Sequence, residues 1–296
     1  MRQQIASALS DSFSKHATLL GQIGAVALHN TKDLVHDFRV STRELLASLT
    51  MIDAICRPCG DDRRRLEDLR TKLKKPFKAL GPLRDLEVAL EHLLGMINRE
   101  PTLRPLLSAV RGDHNRQVRK AFVDLRDHRV PRANKALARH RDAVVGLLAT
   151  VNDKDVGKRL SHALLNRQAH ARSCWTKLRT SHPTTFHNLR IALKHLRYQS
   201  AFVADMRGPH RKLAKSIVSD CRALQQALGK IQDLTVLLQM ARAQGRTPAP
   251  ALRGIKVQRK QQMTELSNAG ATFIDTLART RALAAAMRME LTRPRP

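Results

Sequence analysis

The sequence predicts an all-α protein, and three observations carry the prediction. Apolar residues recur at spacings of three and four over long segments, which is the signature of a helix with one buried face. No comparable alternation of period two is present, and no Asn-Gly or Asp-Gly turn joins two β-branched runs. Proline and glycine are sparse and fall at the ends of the periodic segments, where helices begin and stop.

The first helix is read from Ile5, Leu9, Phe13, His16, Leu20, Ile23 and Ala27, with one histidine in the apolar stripe. The second follows Leu34, Phe38, Leu45, Leu49 and Ile52, and stops at Arg57-Pro58-Cys59-Gly60. A third runs through Leu66, Leu69, Leu73 and Leu80, with Pro76 inside it as an expected kink. Gly81-Pro82, Arg99-Glu100-Pro101, Val130-Pro131 and His182-Pro183 punctuate the next boundaries. The stripe Phe186, Leu189, Leu193, Leu196 and Val203 marks a later helix, followed by breaks at Gly208-Pro209 and Thr247-Pro248-Ala249-Pro250. Helices of roughly 15 to 28 residues result, a length normal for bundles.

The 296 residues carry a formal charge of +29, with 42% apolar residues. That apolar content excludes a disordered chain, and the length allows one large domain or two ordinary ones. Net charge informs about partners: it points to nucleic acid, an anionic membrane surface or a phosphate polymer. Four cysteines, Cys56, Cys59, Cys174 and Cys221, are too few and too irregular for a secreted disulfide framework, so reduced thiols are expected. The N-terminal stretch lacks an unbroken apolar core, and nowhere do eighteen apolar residues run together. A cytoplasmic protein without a membrane span is expected.

The most specific signal is an internal repeat. His36-x-x-Arg39-Val40-x-x-Arg43 returns as His187-x-x-Arg190-Ile191-x-x-Lys194, and Leu80-Gly81-Pro82-Leu83-Arg84-Asp85-Leu86-Glu87-Val88 returns as Leu228-Gly229-Lys230-Ile231-Gln232-Asp233-Leu234-Thr235-Val236. Two motifs in the same order and at nearly equal separation predict two related halves, residues 1–150 and 151–296. Within each first motif the cations share one helix face: His36, Arg39 and Arg43 in one copy, His187, Arg190, Lys194 and Arg197 in the other. The second stripe lies one residue, about 100° around the helix, from the apolar stripe beside it. Cations about 5 to 6 Å apart along one face repel one another unless an anion lies between them. A solvated basic face is the ordinary reading of any single such helix; its repetition argues for a polyanion running along it.

These motifs resemble those of the CHAD domain, the conserved histidine α-helical domain. In that family a helix of pattern V-H-x-M-R-V-x-x-R-R-L-R is followed by one ending in L-G-x-x-R-D-x-x-V. Val35 to Leu46 and Phe186 to Tyr198 correspond to the first pattern, Leu80 to Val88 and Leu228 to Val236 to the second. The resemblance covers roughly residues 1 to 290. It implies two pseudo-symmetric antiparallel helical bundles forming one domain with a basic central cavity, and binding of inorganic polyphosphate there. The implied ligands are His36, Arg39, Arg43, His187, Arg190, Lys194 and Arg197. Lys74 and Arg222 match the basic position seven residues before each motif glycine, and Lys78 lies one turn beyond Lys74. The sequence departs from the family at Glu44, Leu46 and Gln232, where basic residues are usual, so the first stripe is expected to be weaker at its C-terminal end. An association with polyphosphate granules in the cytoplasm follows from the same resemblance.

The residue types suit such a ligand. Arginine offers a planar fork for bidentate phosphate contact and lysine a mobile point charge. A phosphate polymer has no bases, so aromatic platforms are unnecessary, and only nine aromatics are present. The rival is a nonspecific DNA- or RNA-binding basic protein, because +29 meets the electrostatic requirement. Phosphate-loop, H-E-x-x-H and G-x-S-x-G motifs are missing. Asp85 and Asp233 are read as helix N-caps or dipole partners, and Cys56-Arg57-Pro58-Cys59 as a weak redox spacing with no partner motif. The expectation is a binding module, with no catalytic residue, cofactor or metal ligand assigned.

Overall fold

A computed structural model describes residues 1–25, 32–98, 100–179, 182–206, 209–243 and 249–289. The predicted breaks at Arg99, Gly208 and Thr247-Pro248, and the end of the first stripe at Ala27, lie outside these. Among the described residues the regular structure is entirely helical. The α-helices are α1 (Arg2–Ala25), α2 (Lys32–Cys56), α3 (Gly60–Ala79), α4 (Gly81–Met96), α5 (Arg104–Asp124), α6 (Val130–Gly146), α7 (Asp153–Thr176), α8 (Pro183–Asp205), α9 (Arg211–Ala243), α10 (Ala249–Asn268) and α11 (Gly270–Met289). Short 3₁₀ turns precede α5 and follow α6, and a π-helical stretch, Leu125–Arg129, joins α5 to α6. None of the described helices is long and apolar enough to cross a membrane.

Proline sets most of the starts. Pro82, Pro105, Pro131 and Pro183 lie in the first turns of α4, α5, α6 and α8, where the missing N–H would have had no intrahelical partner. Pro76 sits in the last turn of α3, which runs on through it to Ala79. The predicted stripes are the buried faces: Ile5, Leu9, Phe13, Leu20 and Ile23 of α1, Leu66, Leu69 and Leu73 of α3, and Phe186, Leu189, Leu193 and Leu196 of α8 all enter the core. α9 has 33 residues, longer than the sequence reading allowed. The reason is local: Gly229 is followed by Lys230, whereas Gly81 is followed by Pro82. The first motif copy therefore breaks into α3 and α4, while the second continues as one helix about 50 Å long.

One large apolar cluster takes residues from every α-helix, in α9 from its first part only, and includes Leu83 of α4 and Val118 and Phe122 of α5. A smaller one gathers Leu93 of α4, Leu106 and Val110 of α5, Leu234 to Ala241 of α9 and Ile255 of α10. α9 is common to both, so it fixes the second motif copy against α4, which carries the first. The first motifs meet as well, since α2 packs on α8.

His16 is the one polar member of the α1 stripe and is fully buried. Its ring lies against Phe38 with centroids 5.2 Å apart, Nδ1 is 3.3 Å from Ser41 Oγ, and Nε2 has no partner. Burial pushes its pKa down from 6.5 to about 4, and burial beside Arg167 and Lys194 does the same to His195. Between pH 6.5 and 4 the unfolded chain therefore binds more protons than the folded one, so stability is lost as pH falls through that window. Each histidine contributes a slope of up to about 1.4 kcal/mol per pH unit. Thermal melting of His16→Leu should show a shallower loss between pH 6.5 and 4 than the parent; parallel curves would exclude a buried neutral His16.

Candidate cation cluster between the motif helices

α2 and α8 bring five cations into one electrostatic neighbourhood. Arg39 and Arg43 come from α2, and Arg190, Lys194 and Arg197 from α8. Burial, and then the charges of Arg43, Arg190, Arg39 and Arg197 in that order, lower the Lys194 pKa from 10.5 to about 7. Burial likewise lowers Arg39, to about 10, with Arg43 adding to the effect, and lowers Arg43 with Arg190 and Arg197 among its neighbours. None of the five makes an ion pair with a carboxylate among the described residues.

Local structure holds these side chains in place. The last carbonyls of a helix lack intrahelical partners, and Arg39 Nη1 donates to one of them, the Phe77 carbonyl at the end of α3, at 2.9 Å. The Phe77 ring carries both α2 arginines, with the Arg39 guanidinium 4.4 Å and that of Arg43 5.3 Å from its centroid. Arg197 stacks on Tyr198 at 4.6 Å. Gly81 lies beside this assembly, and a Cβ there would make an ordinary contact, 4.0 Å from Arg39 Nη1. The Nε atoms of Arg39 and Arg43 are buried without a partner.

The repeated aspartates approach one another near these cations. Asp85 has its pKa raised by burial and by Asp233, opposed by Arg39, Arg190 and Arg84. Asp233 lies 3.5 Å from His92 Nε2, and Arg84 pairs with the buried Glu87 at 3.1 Å. The N-cap reading of both aspartates is corrected. The residue at the N-cap of α4 is Leu80, without a side-chain cap, and Asp233 lies in the middle of α9. Continuous helix at Gly229 leaves no N-terminus there to cap.

The other sequence candidates lie at the surface. His36, His187, Lys74, Lys78 and Arg222 are exposed, and their side chains make no hydrogen bond or ion pair among the described residues. Glu44 pairs with Lys15 at 3.4 Å. Phe77, Tyr198, Arg84 and the Asp85–Asp233 approach were missed by sequence reasoning; a lone aromatic after Pro76 was the only available hint of the first. The four cysteines are free, and burial pushes the Cys56 thiol up to about 11, which makes it a poor nucleophile.

A CHAD-domain family model matches residues 15–242, a span that contains both copies of both motifs. The chain belongs to the CHAD family. Solved structures agree on the fold. The crystal structure of the CHAD domain from the plant Ricinus communis is 19% identical with a TM-score of 0.60, over 95% of this chain and 92% of that one. PptA from Streptomyces chartreusis is 18% identical with a TM-score of 0.55, over 93% and 98%. No curated protein matches the chain.

Proposed function

We propose that this CHAD protein binds inorganic polyphosphate through the cations of α2 and α8, as a binding module and not as an enzyme. The observation that carries the reading is the convergence of five cations without one carboxylate ion pair, where burial and then the neighbouring charges lower Lys194 to about 7. Such a cluster is repulsive in the free protein, and a chain of phosphates relieves the repulsion along its whole length. Arg39 and Arg43 are pre-set by Phe77, so little side-chain entropy is lost on binding. In this reading residues 1–150 and 151–296 are pseudo-symmetric halves and the polymer runs in a basic groove between them. His36, His187, Lys74, Lys78 and Arg222 extend the track from its exposed rim, and the protein resides at cytoplasmic polyphosphate granules.

Competition tests the choice of polyanion. Long-chain polyphosphate should displace bound duplex DNA at low stoichiometry, whereas DNA should displace polyphosphate poorly even at low ionic strength. Both affinities should fall with salt, by analogy with counterion release from DNA. Equal or reversed preference, measured by fluorescence anisotropy at matched salt, would replace this reading with nonspecific nucleic-acid binding.

A further inference from the structure

We propose a second anion site, separate from the α2–α8 cation cluster, in the cleft where the end of α2 meets α7 and α8. Its ligand is a compact phosphate-bearing anion of pyrophosphate or tripolyphosphate size. A cavity of about 440 Å³ opens there, lined by Arg57, Arg159, Arg167, His162, Asn166 and Gln199, with Thr50, Ala54 and Ala163 completing the wall. No carboxylate lines it. None of its three arginines makes an ion pair with a carboxylate among the described residues, so three guanidinium charges share one enclosure uncompensated.

Arg159 and Arg167 are held in place by hydrogen bonds. Arg159 Nη1 donates to the Ile55 carbonyl at 2.7 Å, in the last turn of α2. Gln199 is buried; in the amide orientation that satisfies both of its groups, its oxygen accepts from Arg167 Nε at 3.3 Å and its nitrogen donates to the Ala163 carbonyl at 3.2 Å. Each contact uses one donor and leaves the rest of the fork free for phosphate oxygens. Arg57 is the only non-glycine with positive φ among the described residues, at 51°. It directly follows the end of α2, the position where glycine is the usual occupant. An arginine kept in that conformation beside a cationic pocket has a use that glycine lacks.

The cavity is distinct from the cation cluster. Arg57 is fourteen residues beyond Arg43, about 21 Å along the helix axis, and no lining residue belongs to the cluster. No Phe, Tyr or Trp lies in the wall, so a nucleobase finds no large ring to stack on, while three arginines and His162 offer donors to phosphate oxygens. A free small phosphate and the end of a polyphosphate chain share this chemistry.

Pyrophosphate is the probe, titrated by calorimetry at 0.15 M salt. The variant Arg190→Gln/Lys194→Gln/Arg197→Gln, which disables the cation cluster, should still bind one equivalent. Adding Arg159→Gln and Arg167→Gln should weaken that equivalent at least tenfold. Arg57→Gly should weaken it several-fold while leaving the melting temperature equal or higher, since glycine suits a positive φ, so the loss cannot be put down to unfolding. If long-chain polyphosphate displaces the remaining pyrophosphate, the occupant is a chain end; if not, it is a free anion, and either result supports the site. No remaining equivalent in the cluster variant, or one insensitive to Arg57, Arg159 and Arg167, would overturn it. Failure of polyphosphate binding at the cluster leaves this titration unaffected, so the two sites are judged separately.

Discussion

Replacing Arg190, Lys194 and Arg197 with Gln should cost at least ten times more polyphosphate affinity than replacing Arg132, Lys135 and Arg139 with Gln. At pH 6, below the Lys194 pKa of about 7, both variants lose three positive charges, which controls for bulk electrostatics on a chain of formal charge +29. Glutamine keeps helix propensity and much of the side-chain length, so folding should change little. The first set is half-buried on α8 and within reach of Arg39 and Arg43; the second is exposed on α6. Phosphate contacts made by the first set are charge-assisted and worth about 1.5 to 3 kcal/mol each before reorganisation. The second set acts only through a screened field, weak beyond about 8 to 10 Å at physiological salt. Fluorescence anisotropy at about 0.15 M salt, with circular dichroism confirming both folds, decides it. Equal losses would mean that net charge, and not this constellation, binds the polymer.

That comparison could be framed from sequence because helical periodicity separates core from cation face one residue apart. Phe186, Leu189, Leu193 and Leu196 are buried, while His187 is exposed and Arg190, Lys194 and Arg197 lie partly open beside them. The motif repeat singled out α2 and α8, and the two helices pack on each other. The aspartates went wrong for a physical reason. A Gly-Pro and a Gly-Lys look alike as helix starts, but only proline enforces the break, and α9 runs straight through Gly229. Asp85 and Asp233 are then brought together by the packing of α4 on α9, a tertiary fact with no local signature.

Phe77 illustrates the same limit within the site itself. Its ring and its carbonyl both serve Arg39, yet the two residues are 38 apart and Phe77 lies outside both motifs. The cavity at the end of α2 was further from view. Arg57, Arg159 and Arg167 share no motif, and among 54 basic residues three more arginines draw no notice. What singles them out is a combination of enclosure, missing carboxylates and one left-handed backbone, and each of these exists only in the folded chain.

Lys194 makes polyphosphate binding pH-dependent in a direction opposite to the stability of the free protein. Its ammonium faces Arg39 and Arg43 from α2 and Arg190 and Arg197 along α8. Burial, with Arg167, Lys194 and His170 adding to it, lowers the pKa of His195 beside it to about 4, while Asp85 from α4 feels Arg39 and Arg190 and is itself opposed by Asp233 from α9. With its pKa at about 7 in the folded protein and 10.5 unfolded, the unfolded chain holds more protons between those values. The Lys194 contribution to stability therefore rises with pH from 7 to 10.5. A phosphate chain beside the amine favours the charged form, so binding above pH 7 must take up a proton, and affinity falls as pH rises. Losing one charged contact of this kind corresponds to about tenfold in affinity at the lower end of its range. Polyphosphate affinity should thus drop about tenfold between pH 6 and 8.5 at constant ionic strength. Lys194→Arg should flatten that profile, because a guanidinium stays charged throughout, while His36, His187 and the remaining arginines are common to both proteins. Calorimetry in buffers of different ionisation enthalpy should detect the proton taken up by the parent at pH 8 and none attributable to the variant; identical pH profiles for the two would remove Lys194 from the site.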